Sequence, residues 1–285
     1  MADPIGEVPD GYAVHRAGDT WLILDKRCAD DLVGLRLANP SIREGLFANA
    51  PRRGRGRVPT VEVSKDLSIV LRRYRHGGLL GPLGGPLFYG PARALGELAV
   101  TARAAASGAP VPHVVCLVLW PSFGPFWSAV IGTREEPQAV DLFAELDQMS
   151  SASERQELAR AVGSAVRLLH DTGVEHRDLQ LRNVMVTNRP ARRVVIIDLD
   201  RAFFHRHGLM PTRRRAANLG RLARSAVKLG AWGNEIGRRE VAAFMGAYLG
   251  GRRELRRNLR AFIARERFLL ALHQLSYPLR SAIGR

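Results

Sequence analysis

The chain has 285 residues, 46% hydrophobic and 25% charged, a balance that fits a globular protein with a full core and excludes a disordered one. Its two cysteines, Cys28 and Cys116, stand in no ligand-like spacing, which excludes a disulfide framework or zinc scaffold and fits a reducing compartment. The formal net charge is +16, and from Arg201 onward nineteen Lys or Arg face four acids, so nearly all the excess lies in the last third.

The first residues, Met1 to Glu7, are acidic and broken by Pro4 and Gly6, unlike a signal peptide. The plainly apolar runs, such as Val114 to Trp120, are far shorter than the roughly 20 residues a membrane-spanning helix needs. A soluble cytoplasmic protein, free or peripheral to a membrane, is expected. Residues 1 to about 45 are mixed, with a strand at Trp21 to Leu24. Pro51-Arg52-Arg53-Gly54-Arg55-Gly56-Arg57 is a Gly/Arg turn, followed by strands at Val58 to Val63 and Leu67 to Tyr74 about a Ser64-Lys65-Asp66 turn. Residues 77–86 are dense in glycine and read as a loop or an interrupted helix, and a helix follows over about Pro91 to Ser107. Val114 to Leu119 and Trp127 to Gly132 form an antiparallel pair, with Pro121, Gly124 and Pro125 in the turn. Thr133 to Pro137 then makes a connector whose backbone is placed to hold an adenine.

Downstream, Ser153-Glu154-Arg155-Gln156 reads as a capping box. Leu158, Val162, Ala165, Val166 and Leu169 recur at helical spacing, and Asp171-Thr172-Gly173 supplies the stop. Directly after it come His176-Arg177-Asp178-Leu179-Gln180-Leu181-Arg182-Asn183, a hairpin of Val184 to Thr187 and Val194 to Ile197, and Asp198-Leu199-Asp200. An acid, an amide five positions later and a second acid at the end of an apolar strand form a phosphoryl-transfer signature. Such chemistry asks the protein mainly for in-line placement and charge neutralisation. Asp178 is placed to accept the proton of the attacking hydroxyl. Asn183 and Asp198 offer the oxygen ligands that Mg²⁺ takes beside nucleotide phosphates. Further helices are expected at Pro211 to Leu229, Arg238 to Tyr248 and Arg252 to Leu272.

A kinase reading gives the earlier segments their roles. The expected fold is α+β and bilobal, protein-kinase-like, with a small antiparallel β-rich N-lobe over residues 1–136 and a larger helical C-lobe over 137–285. The turn at Gly54 and Gly56 either lays its N–H groups over the ATP phosphates or is a plain basic turn. Kinases carry Lys at the end of the following strand, paired with a helix Glu; here the register offers Arg72, with Glu97 as partner and Arg73 as the alternative if the strand slips by one.

Several segments are similar to the lipopolysaccharide kinase family of 3-deoxy-D-manno-octulosonic acid (Kdo) and heptose kinases. They are Val70-Leu71-Arg72-Arg73-Tyr74-Arg75-His76-Gly77-Gly78-Leu79, Gly173 to Leu179 with Asn183, Ile197-Asp198-Leu199-Asp200-Arg201 and Asn218-Leu219-Gly220-Arg221-Leu222-Ala223-Arg224-Ser225. The likeness runs from about residue 50 to 230 and is nearest the Kdo kinase branch. It implies a cytoplasmic enzyme at the inner membrane that transfers the ATP γ-phosphoryl group to an inner-core sugar, Kdo of Kdo-lipid A. In that reading Asp178 is the base, Asn183 and Asp198 bind Mg²⁺, Arg72 contacts phosphates and Glu97 orients it. Gly77-Gly78 and the basic C-terminal helices then lie near acceptor or membrane. Gln180-Leu181-Arg182 and Asp200 depart from common kinase patterns, and Asp200 either assists the metal or fixes the turn.

The basic C-terminal part suits an anionic glycolipid acceptor on an anionic leaflet. The segment Leu259 to Leu270, basic and apolar at helical spacing, either lies on a membrane or packs as a helix of the lobe. No nucleic-acid partner is expected. Two other functions stay open: a small-molecule phosphotransferase of the aminoglycoside or choline type, and a nucleic-acid- or anion-binding pseudokinase. A Ser/Thr protein kinase is disfavoured, because glycine after Asp198 and an Ala-Pro-Glu anchor are both missing.

Overall fold

The computed structural model describes residues 4–53, 56–74, 87–187, 191–205 and 210–259. The chain forms two compact units: Met1–Ala105 with Pro112–Glu136, and Ala106–Val111 with Pro137–Arg285.

The first unit is built on an antiparallel sheet. In chain order it contains β1 (Tyr12–Ala17), β2 (Thr20–Asp25), α1 (Ala29–Gly34), α2 (Pro40–Asn49), β3 (Arg52–Arg53), β4 (Gly56–Arg57), β5 (Thr60–Ser64), β6 (Leu67–Arg73), β7 (Phe88–Tyr89), α3 (Ala92–Ala106), β8 (Val114–Phe123) and β9 (Phe126–Arg134). The sheet order is β1-β2-β8-β9-β6-β5, with β7 also on β9, while β3 and β4 pair only with each other. Both faces are covered, which explains the unbroken apolar runs of the central strands. Along β2, Trp21 and Ile23 join the core that holds Ala94 and Leu98 of α3, while Leu22 and Leu24 join the core that holds Leu32 of α1 and Phe47 of α2. The period-2 alternation thus feeds two cores from one strand.

One turn differs from expectation. β8 continues through Pro121 to Phe123, leaving Gly124 and Pro125 as the connection. Pro121 is accommodated where the β8–β9 register shifts, a site at which a missing N–H costs no ladder bond. Gly124 takes φ +52, the left-handed conformation the tight turn requires.

The second unit is mainly helical. It contains β10 (Val140–Asp141), α4 (Leu142–Gln148), α5 (Ala152–Asp171), β11 (Val174–Glu175), a 3-10 turn (Leu181–Asn183), β12 (Val184–Thr187), β13 (Arg193–Ile196), β14 (Phe203–Phe204), α6 (Thr212–Lys228) and α7 (Arg238–Leu249), and residues 253–259 are again helical. α5 starts earlier than the expected capping box at Ser153. Its N-cap is Ser151, whose Oγ accepts the Glu154 N–H at 3.4 Å, because Ser151-Ala152-Ser153-Glu154 is itself the S-x-x-E pattern. The five residues expected on its apolar face, Leu158, Val162, Ala165, Val166 and Leu169, are all buried. α5 packs on α7 closely enough that a Cβ on Gly163 would stand 2.4 Å from the Phe244 carbonyl oxygen. Among the described residues no helix is long and apolar enough to cross a membrane. The glycine-dense segment 77–86, the Gly54-Arg55 tip and residues 260–285 lie outside the described residues.

Candidate active site

The loop between β11 and β12 is organised around His176, whose side chain is buried. Its Nδ1 receives the Asp178 N–H at 3.2 Å, so Nε2 carries the proton and donates to the Ile197 carbonyl at 2.9 Å. One imidazole therefore ties the loop holding Asp178 to the strand end preceding Asp198. Burial pulls the His176 pKa below its ordinary value, against the opposing influence of the Ile197 carbonyl and the Asp198 and Asp178 charges. The ring stays neutral and keeps this tautomer.

Asn183 completes the loop. Its Nδ2 donates to the Asp178 carbonyl at 2.9 Å, and its own carbonyl accepts the Ile197 N–H at 2.9 Å. Among the described residues its Oδ1 takes no hydrogen bond. Leu179 and Leu181 are buried anchors that hold the loop from below, while Asp178 is exposed and Gln180 Nε2 donates to its Oδ2 at 3.2 Å. Asp198 has φ +66, a left-handed backbone that Asp tolerates better than most residues. This kink ends the strand and turns the chain into the Leu199–Ala202 turn, closed by the Ala202 N–H on the Leu199 carbonyl at 2.8 Å and including Asp200. Asp178, Asn183 and Ile197, the residue before Asp198, are thus linked to one another through His176 and the backbone.

Two residues of α6 brace this loop. Asn218, fully buried, accepts the His176 N–H on Oδ1 at 3.0 Å, and Ser225 Oγ accepts the Leu181 N–H at 3.0 Å. They are seven residues apart and so share one helix face. Sequence reasoning left both without a role. The available signal was two short polar side chains a heptad apart on a stripe otherwise filled by Leu222 and Ala226.

In the first unit, Arg72 Nη2 donates to Glu97 Oε1 at 2.5 Å, and Tyr74 OH donates to Glu97 Oε2. Glu97 is buried at 5% exposure, whereas the Arg72 side chain is 35% exposed. Arg73, the alternative, turns to Glu44 at 2.8 Å and packs over Phe47, so it is Arg72 that meets the helix carboxylate. Of the two glycines, Gly56 pairs with Arg53 in the β3–β4 ribbon, and Gly54 lies outside the described residues.

The second unit carries the exposed Asp178 carboxylate and, at the two ends of the β12–β13 hairpin, the Asn183 amide and the Asp198 carboxylate. Among the described residues no group of three or more His, Cys, Asp or Glu side chains is gathered as a cage. Two hard oxygen donors at the base of one hairpin suit Mg²⁺, which keeps water and phosphate ligands, better than a metal needing a full protein shell.

Comparison with known proteins adds three findings. Residues 48–248 match the family model described as lipopolysaccharide kinase (Kdo/WaaP) family. The 3-deoxy-D-manno-octulosonic acid kinase of Photobacterium profundum is 32% identical over 179 residues, 61% of this chain and 71% of that one. The enzyme of the same name from Vibrio cholerae is 29% identical over 179 residues, covering 61% and 72%. A solved structure of WaaP in complex with acyl carrier protein superposes with a TM-score of 0.58 at 22% identity, over 86% of this chain and 96% of that one, and shares the α+β kinase-like fold.

Proposed function

The chain belongs to the lipopolysaccharide kinase (Kdo/WaaP) family, whose members are ATP-dependent kinases acting on a lipopolysaccharide sugar, and we propose that its acceptor is the Kdo residue of Kdo-lipid A. The observation that supports the reading is the bond network that ties Asp178 to His176, His176 to Ile197 next to Asp198, and Asn183 to both Asp178 and Ile197. A Kdo hydroxyl attacks the γ-phosphorus in line. A new O–P bond forms as the bond from phosphorus to the β–γ bridging oxygen breaks, ADP departs, and the hydroxyl proton passes to the Asp178 carboxylate. Asn183 and Asp198 are the residues to hold Mg²⁺, which when bound neutralises charge on the phosphates. Asn183 Nδ2 fixes the Asp178 backbone meanwhile, so the base and the ligand move together. Residues 1–136 serve the nucleotide, with Arg72 directed at its phosphates and Glu97 orienting Arg72. Residues 137–285 carry the chemistry.

The protein works at the cytoplasmic face of the inner membrane as a peripheral enzyme. Its basic surplus beyond Arg201 supports this, as do the exposed rings of Tyr89 and Phe123, which lie at 78% and 63% exposure on the β7–β9 and β8–β9 edges. The test is transfer of labelled phosphate from Mg-ATP to Kdo-lipid A. Asp178→Asn is expected to lower kcat by a factor of about 10²–10⁴, the range for loss of a general base. Transfer that survives the substitution would remove Asp178 from the mechanism. Label that appears only on a soluble aminoglycoside or choline would replace the acceptor.

A further inference from the structure

The β11–β14 ribbon carries a cluster that the transfer step does not use. Glu175 and Phe203 are register partners, and opposite residues of an antiparallel pair share a face. Arg177 and His205, each two positions further on, continue that face. The Glu175 side chain is only 2% exposed and meets two partners: His205 Nε2 at 3.1 Å on Oε2 and Arg214 Nη1 at 3.6 Å on Oε1. Above it the Phe203 ring is 45% exposed. The His205 ring meets it edge-on at 4.9 Å, and the Arg177 guanidinium stands 5.7 Å over it.

This arrangement is costly for a plain surface. A large ring is left in water, and a buried carboxylate must be paired to be tolerated. Arg213, Arg214 and Arg215 occupy the first turn of α6 without an acid, against the helix macrodipole. Of the three, Arg215 is spent inside the protein on Asp171 and the His170 carbonyl, while Arg213 and Arg214 remain at the surface. A flat apolar ring rimmed by guanidinium and imidazole groups is the chemistry that receives a sugar ring carrying an oxyanion. The sugar's C–H face lies on Phe203, and carboxylate or phosphate meets the planar forks of Arg177 and Arg214. Arg177 is the residue before Asp178, in the turn after β11, and its guanidinium meets Phe203. The cluster thus suits a part of the acceptor next to the hydroxyl under attack.

We propose that Arg177, Phe203, His205 and Arg214 form an acceptor subsite for an oxyanion-bearing sugar, with Glu175 as the positioning residue beneath it. The proposal rests on the acceptor reading above. Arg177 and Phe203 touch the ligand; Glu175 acts through His205 and Arg214.

Steady-state transfer by the full chain tests it on three acceptors: Kdo-lipid A, the same molecule with the Kdo carboxylate as a carboxamide, and the same molecule lacking the lipid A phosphates. Arg177→Gln and Phe203→Ala, both at exposed side chains, are each expected to raise the KM for Kdo-lipid A about tenfold while the KM for ATP holds, the loss of one charge-assisted contact or ring face. The acceptor lacking the group read by Arg177 should show the same rise with the unaltered protein and no further rise with Arg177→Gln; which of the two behaves so identifies carboxylate or phosphate. Glu175→Gln should raise acceptor KM without lowering ATP affinity. An acceptor KM within twofold of the unaltered protein for Arg177→Gln and Phe203→Ala overturns the subsite and leaves the kinase reading standing. If the unaltered protein labels none of the three, the acceptor reading fails. Calorimetric titration of free Kdo and of inorganic phosphate then decides the subsite alone: weaker binding by Arg177→Gln supports it, and equal or absent binding overturns it.

Discussion

Replacing Asn218 with Ala tests whether α6 sets the geometry of the reacting loop. The Asn218 side chain is fully buried, and its Oδ1 is the acceptor for the His176 N–H at 3.0 Å. Deleting it leaves a buried amide unpaired, which costs about 1–3 kcal/mol, and the cavity left by the lost amide group adds about 1 kcal/mol. A total of about 2–4 kcal/mol corresponds to a fall in Tm of roughly 4–16 °C at the 2–4 °C per kcal/mol of a chain of this size. The catalytic consequence should exceed the stability loss. His176 links Asp178 to Ile197, so a freed His176 backbone allows the base to drift, and a displacement of about 1 Å can cost about 10²-fold in rate. Ser225→Ala is the graded comparison. It removes the acceptor for the Leu181 N–H in a part-buried bond, so a loss of about 0.5–1.5 kcal/mol is expected. The assays are chemical denaturation and kcat at saturating ATP. Asn218→Ala retaining kcat within twofold, or proving milder than Ser225→Ala, would refute the view that α6 positions the loop.

Three other outcomes are expected. Glu97→Gln leaves Arg72 without its carboxylate and Tyr74 without a charged acceptor; KM for ATP should rise several-fold with kcat less affected, and an unchanged KM would detach the pair from nucleotide binding. Stability should decline on acidification well before carboxylates titrate. Burial, aided by the Arg215 charge, pulls His170 from 6.5 down to about 3, so below pH 6.5 the unfolded chain binds a proton that the folded one refuses. Stability is therefore fully present above pH 6.5 and falls from there toward pH 3, by about 1.4 kcal/mol between pH 7.5 and 5.5 for this residue alone. Denaturation midpoints against pH should flatten in His170→Gln, and an unchanged slope would count against the assignment. Gly163→Ala should destabilise by about 1–3 kcal/mol, because its Cβ would press on the Phe244 backbone where no side chain can yield. Equal stability of that variant in guanidinium chloride would mean α5 and α7 are not locked there.

The parts of the fold legible in the sequence are those whose signal is local. The β5–β6 hairpin, α5 with its apolar stripe and the β12–β13 hairpin each announce themselves through period and turn chemistry within about twenty residues. The pattern of Asp178, Asn183 and Asp198 is local in the same way, since its spacing crosses one loop and one hairpin, and the roles it suggests are those proposed above. β1, α1 and α2 were not, because their apolar positions are few and make sense only against the second face of the sheet, where Leu32 and Phe47 meet Leu22 and Leu24. The braces from α6 were equally hidden: the bond from His176 to Asn218 spans 42 residues, and Asn218 carries no local sign of its partner. The capping-box error had a simpler cause. Two serines two positions apart both precede acidic or amide side chains, and only the extended backbone at Ser151 decides between them.

Arginine at position 72 is best understood from what its carboxylate partner already does. Glu97 has both oxygens engaged, one by Arg72 and one by Tyr74, and it sits at the buried end of the pair. Fixed so from two sides, it holds Arg72 in one orientation. A lysine there would have a compact ammonium, whose three donors diverge from a single nitrogen. Arginine has five donors in a plane, a fork suited to holding a carboxylate such as Glu97 and to the geometry of phosphate oxygens. The Arg72 side chain is 35% exposed, so the pair has a buried carboxylate end and a half-exposed cation end. The guanidinium also lies 5.0 Å over the Tyr74 ring, a contact that favours its flat cation. Tyr74 thus contributes twice, with its hydroxyl on the carboxylate and its ring beneath the cation. The departure from lysine is therefore a matched set of Arg72, Tyr74 and Glu97 rather than a vacancy, and it gives no support to a protein that has given up nucleotide binding.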